Sequence, residues 1–224
     1  MVHDGFTTQY RIVGRAADWA VFVLGVIYAI ITTLGFLSLQ SPQDPIGEPF
    51  VTLMELLIVL MAPFYIISMV AIHAYALPEQ KLYSLLALIF MILLAALTSC
   101  IHFIVLTVGP QLAATGLSWA PLFFSWKWPS VAYAIDILAW DWFFALALLF
   151  AAAVFKAGRL EKTVRVLLIL SGVLSLAGLF GVLLADMQVR NIGIIGYAVV
   201  APVAFLLIGI AFGDARQAQG GLDD

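Results

Sequence analysis

Residues 83–108 read YSLLALIFMILLAALTSCIHFIVLTV, and this stretch decides the fold class. It contains 26 residues without Asp, Glu, Lys or Arg. A helix needs only about 20 predominantly apolar residues to cross a hydrocarbon layer about 30 Å thick. Because lipid offers the backbone no hydrogen-bond partners, such a segment must satisfy its peptide groups internally as an α-helix. The stretch therefore predicts a transmembrane helix.

Five other apolar runs have a similar length. The six predicted spans are residues 19–39, 51–76, 83–108, 131–155, 163–185 and 191–212. The composition agrees, since 64% of the residues are hydrophobic and 10% are charged, and no alternation typical of a membrane barrel is present. The sequence predicts an all-α polytopic integral membrane protein with one six-helix domain over residues 19–212. We expect residues 1–18 and 213–224 to form terminal segments.

The first apolar run is not expected to be a cleaved signal peptide. It is too long for the hydrophobic region of a signal peptide, and it ends at Ser38-Leu39-Gln40-Ser41-Pro42 without a small-x-small cleavage site. We therefore expect it to remain as the first transmembrane helix.

The basic residues predict the orientation of the bundle. Lys127 and Arg190 fall on one side of the predicted spans, and the other eight basic residues fall on the opposite side. Those eight are Arg11, Arg15, Lys81, Lys156, Arg159, Lys162, Arg165 and Arg216. Since Lys and Arg accumulate in cytoplasmic connections, both termini are expected in the cytoplasm. We expect a multi-pass protein of a bacterial or archaeal plasma membrane.

Several classes of function find no support in the sequence. The net charge is −3 and the basic residues form no extended patch, so nucleic acid is not expected as a partner. The single cysteine, Cys100, permits no intramolecular disulfide or thiolate metal cluster. No His-x-x-His or Glu-x-x-His repeat is present, and no cofactor or metal is expected.

Four ionisable residues are expected at membrane depth, where a charge costs at least about 2.5–3.5 kcal/mol near the bilayer centre. They are Glu55, His102, Asp136 and Asp141. The alternating direction of the spans brings them into the outer half of the membrane, so we expect them to converge as candidate catalytic residues. Asp136 and Asp141 are five residues apart, which on an ordinary α-helix turns them about 140° from each other, and they need not share one site.

Polar and aromatic neighbours extend this candidate site. Thr98 and Ser99 lie on the same helix face as His102 and are expected to bind substrate with Trp140 and Trp142. The segment from about 109 to 130 is rich in Trp, Phe and Pro, which predicts an aromatic belt, a short surface helix or a lid over a cavity. Asp186 and Arg190 are interpreted as a local surface pair or, through Arg190, a counter-charge for the carboxylates.

Three functions are compatible with these residues. The first is binding or acid/base conversion of a lipid-soluble small molecule, with one carboxyl as general acid and His102 or Asp141 as base. The second is a small proton- or ion-coupled transporter, which would need polar residues deeper in the membrane. The third is an accessory or assembly subunit of a membrane complex. We expect membrane lipid around the protein. The sequence does not decide between a homo-oligomer and a partner in a membrane complex.

Overall fold

A computed structural model of the chain describes residues 6–41 and 46–220. Parts of the two predicted terminal segments, residues 1–5 and 221–224, lie outside the described residues, as does part of the first connection, residues 42–45. The described chain is helical and contains no strand.

The first three spans are continuous helices. They are α1 (Thr8–Leu37), α2 (Phe50–Tyr75) and α3 (Lys81–Thr107), with a single 3₁₀ turn at Pro78–Gln80 before α3. Two short helices follow, α4 (Gly109–Ala114) and α5 (Ala120–Phe124), in the aromatic segment.

The fourth and sixth spans each contain a π-helical segment. The fourth consists of α6 (Val131–Ile137), a π segment (Leu138–Phe144) and α7 (Ala145–Ala151). The fifth is α8 (Gly158–Leu183). The sixth consists of α9 (Met187–Ile194), a π segment (Ile195–Val200) and α10 (Ala201–Gly220).

Within the described residues, six helices are long and apolar enough to cross a membrane. Large apolar side chains cover the outside of the bundle, and Leu60 on α2 and Val173 on α8 are 56% and 51% exposed. A soluble monomer rarely exposes so much contiguous apolar area. The architecture is consistent with a helical, multi-pass membrane protein.

The spans form a closed ring. Each span packs against the next one along the chain, and α10 packs against α1. The core lies inside this ring, where the ring of Tyr65 meets Trp140, Phe144 and Phe205 at centroid distances of 6.1, 5.5 and 5.1 Å. This arrangement brings helices far apart in sequence to one interior.

The first helix differs from its predicted span, because α1 begins at Thr8 rather than near residue 19. Arg11, Arg15 and Asp18 interrupt the apolar pattern in this part of the sequence. The structure nevertheless buries Gly14, Ala17 and Asp18 against the neighbouring helices. The helix therefore begins before the predicted apolar span, which starts at residue 19.

Two ends of the ring differ in composition. The basic end holds the start of α1, the α2–α3 and α7–α8 connections and the end of α10, with the eight basic residues that share one side. The aromatic end holds residues 109–130, with Trp119, Trp126 and Trp128.

Candidate functional site

Five ionisable side chains meet in the interior near the aromatic end, and we call them the polar cluster. They are Glu55, His102, Asp136, Asp141 and Arg190, with exposures of 3%, 4%, 9%, 0% and 3%. They come from α2, α3, the fourth span and α9. Four of these residues are the predicted catalytic set, and the structure brings all four together.

The position of each residue along its helix explains why Glu55, His102 and Asp136 lie close together. Glu55 and Asp136 each follow the start of their helices by five residues, and His102 precedes the end of α3 by five. Because a helix rises about 1.5 Å per residue, these three lie about 7 Å from the same end of the ring.

His102 lies between two carboxylates. Its Nδ1 is 2.6 Å from Glu55 Oε2, and its Nε2 is 3.3 Å from Asp136 Oδ1. A neutral imidazole can donate through only one nitrogen, whereas a protonated one donates through both. The two contacts therefore match an imidazolium between two acceptors, or a neutral ring with one of the two carboxyls protonated.

Arg190 joins the other half of the cluster. Its guanidinium donates from Nη2 to Asp136 Oδ2 at 3.3 Å and from Nε to Asp141 Oδ2 at 3.1 Å. The rings of Tyr133 and Tyr197 lie 5.1 and 5.7 Å from the guanidinium carbon, within the range of cation–π contacts.

Arg190 is thus the counter-charge for the carboxylates, which was one of the two sequence interpretations. Asp186 instead caps α9 by accepting a hydrogen bond from the backbone N–H of Gln188 at 2.8 Å. The interpretation of Arg190 as a surface residue is wrong, since its side chain turns into the ring.

In the fourth span, Asp136 and Asp141 both bind the guanidinium of Arg190. An ordinary α-helix would point these two carboxylates in different directions. Leu138–Phe144 is π-helical and contains Asp141. Because a π-helix winds more slowly than an α-helix, residues five apart come nearer to one face. The expectation that the two carboxylates point about 140° apart fails for this reason.

Close helix approach makes room for Asp141. A Cβ atom added at Gly193 would lie 2.4 Å from Asp141 Oδ1, and one at Gly181 would lie 2.4 Å from the backbone nitrogen of Arg190. Glycine at both positions therefore lets α8, α9 and the fourth span approach closely. Asp141 Oδ1 is buried against this contact and has no hydrogen-bond partner within the described part of the chain.

Trp126 covers the polar cluster from the aromatic segment. Its indole Nε1 donates to Glu55 Oε1 at 2.7 Å, and its ring lies on His102 with a centroid distance of 4.9 Å and an interplanar angle of 31°. Trp126 is half-buried. The aromatic segment thus contributes a lid residue in addition to its two short helices.

The predicted substrate-binding residues divide into two groups. Thr98 and Trp140 are buried and bonded to each other, with Trp140 Nε1 donating to Thr98 Oγ1 at 3.2 Å. The ring of Trp140 also packs against Tyr197, beside the polar cluster, with a centroid distance of 5.1 Å and an interplanar angle of 38°. Ser99 is half-buried, and Trp142 faces the outer surface with 44% exposure. The structure does not bring Trp142 to the cluster.

The charges of the cluster do not balance without protons. Arg190 supplies one positive charge to three carboxylates, and a buried charge without a partner is costly. Neutrality of the cluster requires two further protons, of which His102 can hold one. In chemical terms, the arrangement can store protons and pass them between carboxylates.

The described residues contain no group of three or more His, Cys, Asp or Glu side chains arranged to hold a metal ion. Two apolar grooves are also present, one between α1 and the sixth span and one between α1 and α2 near the basic end. Neither groove is lined by a residue of the polar cluster.

The predicted catalytic and substrate-binding residues did not include Arg190, Trp126 or Asp18, which contribute to the interior polar structure. The sequence gives one indication of the role of Arg190, because this residue directly precedes the sixth predicted span and carries the opposite charge to the predicted carboxylates. Trp126 was one of several similar aromatic residues, and only the fold distinguishes it. Asp18 is fully buried near the other end of the ring, and sequence analysis had placed it in a terminal segment.

Comparison with models of protein families, with curated proteins and with solved structures gives no significant match.

Proposed function

We propose that the chain is a multi-pass membrane protein with cytoplasmic termini, and that the polar cluster is an acid/base site for a lipid-soluble small molecule. The observation that carries this proposal is the buried chain of Glu55, His102 and Asp136, with a carboxylate on each imidazole nitrogen. Ionisable groups inside a membrane are costly, and they commonly mark functional sites.

His102 is suited to relay a proton. An imidazole can accept a proton at one nitrogen and release another from the second nitrogen, and its charge changes near neutral pH. Here both nitrogens already face carboxylate oxygens, so transfer needs no large movement. Arg190, which also donates to Asp141, holds Asp136 in place from the opposite side.

Trp126 indicates what kind of molecule the mouth of the cluster accepts. Its indole is a flat apolar ring with one hydrogen-bond donor. The N–H donates to Glu55, and the ring packs on the imidazole of His102. A membrane-soluble molecule with a planar ring and an N–H or O–H group would make the same two contacts after displacing the indole. The proton exchanged with such a ligand would pass through Glu55 to His102.

An assembly role is the second candidate, because each ionisable side chain of the cluster has a partner in the described structure. The cluster joins four of the six spans. Buried polar networks of this kind can hold helices in one arrangement without any turnover.

Nuclear magnetic resonance of ¹⁵N-histidine-labelled protein in lipid nanodiscs distinguishes the two candidates. The chain has three histidines, and His102→Gln identifies the His102 signals, while His73→Gln is the matched control. An acid/base site predicts that the two ring nitrogens of His102 change protonation state within the pH range where the protein stays folded. A purely structural imidazole would keep one protonation state throughout this range, and that result would contradict the proposal.

A further inference from the structure

A second carboxyl group lies deep in the ring, outside the polar cluster. Asp18 follows the start of α1 by ten residues, which is about 15 Å along the helix, and its side chain is 0% exposed. The apolar pattern predicts that Asp18 is the last residue of a terminal segment, whereas the structure buries it between α1 and the neighbouring helices.

Asp18 has one polar partner in the described structure. The hydroxyl of Ser68 on α2, which is also fully buried, donates to Asp18 Oδ1. The other carboxyl oxygen, Oδ2, is buried and has no hydrogen-bond partner among the described residues. On the α10 side the chain presents Gly209, where an added Cβ would lie 3.3 Å from Asp18 Cβ.

The charged groups nearby leave Asp18 without a cation. Arg15 is one turn earlier on α1, but its guanidinium lies over the ring of Trp19 with a distance of 4.4 Å to the centroid. Asp214, five residues after Gly209 on α10, is exposed and carries the wrong sign to act as a counter-charge. In the described chain, Asp18 takes part in no ion pair.

We propose that Asp18 and Ser68 form a second proton-binding site, in the half of the ring toward the basic end. An ionised carboxylate in this position would have one hydroxyl as its only compensation, which does not offset the loss of solvation. A bound proton removes the charge. The proton binds to Oδ2, the oxygen without a hydrogen-bond partner, while Oδ1 accepts a hydrogen bond from the Ser68 hydroxyl.

Asp18 and Ser68 lie at a different level of the ring from the polar cluster. Ser68 and Glu55 are both on α2, 13 residues or about 20 Å apart along its axis. Tyr65 lies between them on α2, where its ring packs on Trp140, Phe144 and Phe205 in the apolar core. Asp18 and the polar cluster are therefore two separate polar sites.

Proton uptake at this site balances with the surrounding water. A hydronium ion from the basic end gives one proton to Asp18 Oδ2 and is left as a neutral water molecule, while the carboxylate becomes a neutral acid. That Asp18 binds a proton is independent of the proposed function.

Infrared spectroscopy of the protein in nanodiscs tests the site. A protonated carboxylic acid has a C=O stretching band that a carboxylate lacks, and a buried acid keeps this band at neutral pH. We expect Asp18→Asn to remove the intensity of one carboxyl group and Ser68→Ala to shift the band, because its C=O loses a hydrogen bond. Glu79→Gln is the matched control, since Glu79 is an exposed acid at the same end, and it leaves the band unchanged.

The outcomes separate this proposal from the proposed function of the polar cluster. His102→Gln should leave the Asp18 band in place whether or not the polar cluster is an acid/base site. A neutral-pH carboxyl band that keeps its full intensity in Asp18→Asn and its position in Ser68→Ala would overturn the proposal.

Discussion

Replacing Arg190 by Gln should be among the most damaging single changes in the protein. The guanidinium lies 3.1 Å from Asp141 and 3.3 Å from Asp136, and all three side chains are buried. Unit charges 4 Å apart attract by about 4 kcal/mol at an effective dielectric constant of about 20. Removing one partner of a buried ion pair typically costs about 3–5 kcal/mol, because the other charge stays buried without compensation.

We therefore expect Arg190→Gln to lower the free energy of unfolding by about 3–5 kcal/mol. Reversible unfolding in mixed detergent micelles, followed by circular dichroism, measures this value. Arg159→Gln is the matched control, since Arg159 is exposed at the basic end, and such a change costs within about 0.5 kcal/mol.

A second variant tests the cause of the loss. Adding Asp141→Asn to Arg190→Gln removes one of the orphaned charges, so the double variant should be more stable than Arg190→Gln alone. The electrostatic argument is refuted if Arg190→Gln costs less than about 1 kcal/mol, well below the range for a broken buried pair. It also fails if neutralising Asp141 in that background destabilises the protein further.

Two further changes probe the packing and the lid of the polar cluster. Gly193→Ala places a Cβ 2.4 Å from Asp141 Oδ1, so we expect a stability loss of about 1–3 kcal/mol in the same assay. Gly109→Ala, whose nearest neighbour would be 4.0 Å away, should cause no such loss, and equal losses would contradict the packing argument. Trp126→Phe removes the N–H donor to Glu55, so we expect the free energy of unfolding to fall by about 1.5–3 kcal/mol. We also expect the ¹⁵N signals of the His102 ring to change. Unchanged His102 signals would mean that Trp126 does not act on the polar cluster.

Apolar runs predict the spans well where no charge interrupts them. The second predicted span, 51–76, differs by one residue at each end from α2, Phe50–Tyr75. The helix α1 begins before the predicted apolar span because Arg11, Arg15 and Asp18 break the apolar pattern, although Gly14 and Ala17 in this segment pack inside the ring. Tertiary packing, which the local pattern does not contain, extends this helix to Thr8.

The candidate site was predictable in depth but not in lateral arrangement. Counting residues from the ends of the spans put Glu55, His102 and Asp136 at one level. Which helices are neighbours depends on the closure of the ring, with α10 against α1, and that closure is not readable from one sequence. The π segment around Asp141 was also not predictable, because a pattern of 3.6 residues per turn assigns Asp136 and Asp141 to different faces.

A density map of the purified protein in lipid nanodiscs tests the central claim most directly. If the polar cluster is an acid/base site for a lipid-soluble molecule, we expect non-protein density of a planar molecule at the mouth of the cluster, against His102 and Glu55, with Trp126 displaced. A map with the indole of Trp126 in place over fully paired carboxylates, and only lipid around the outside of the ring, would contradict the claim and favour the assembly role.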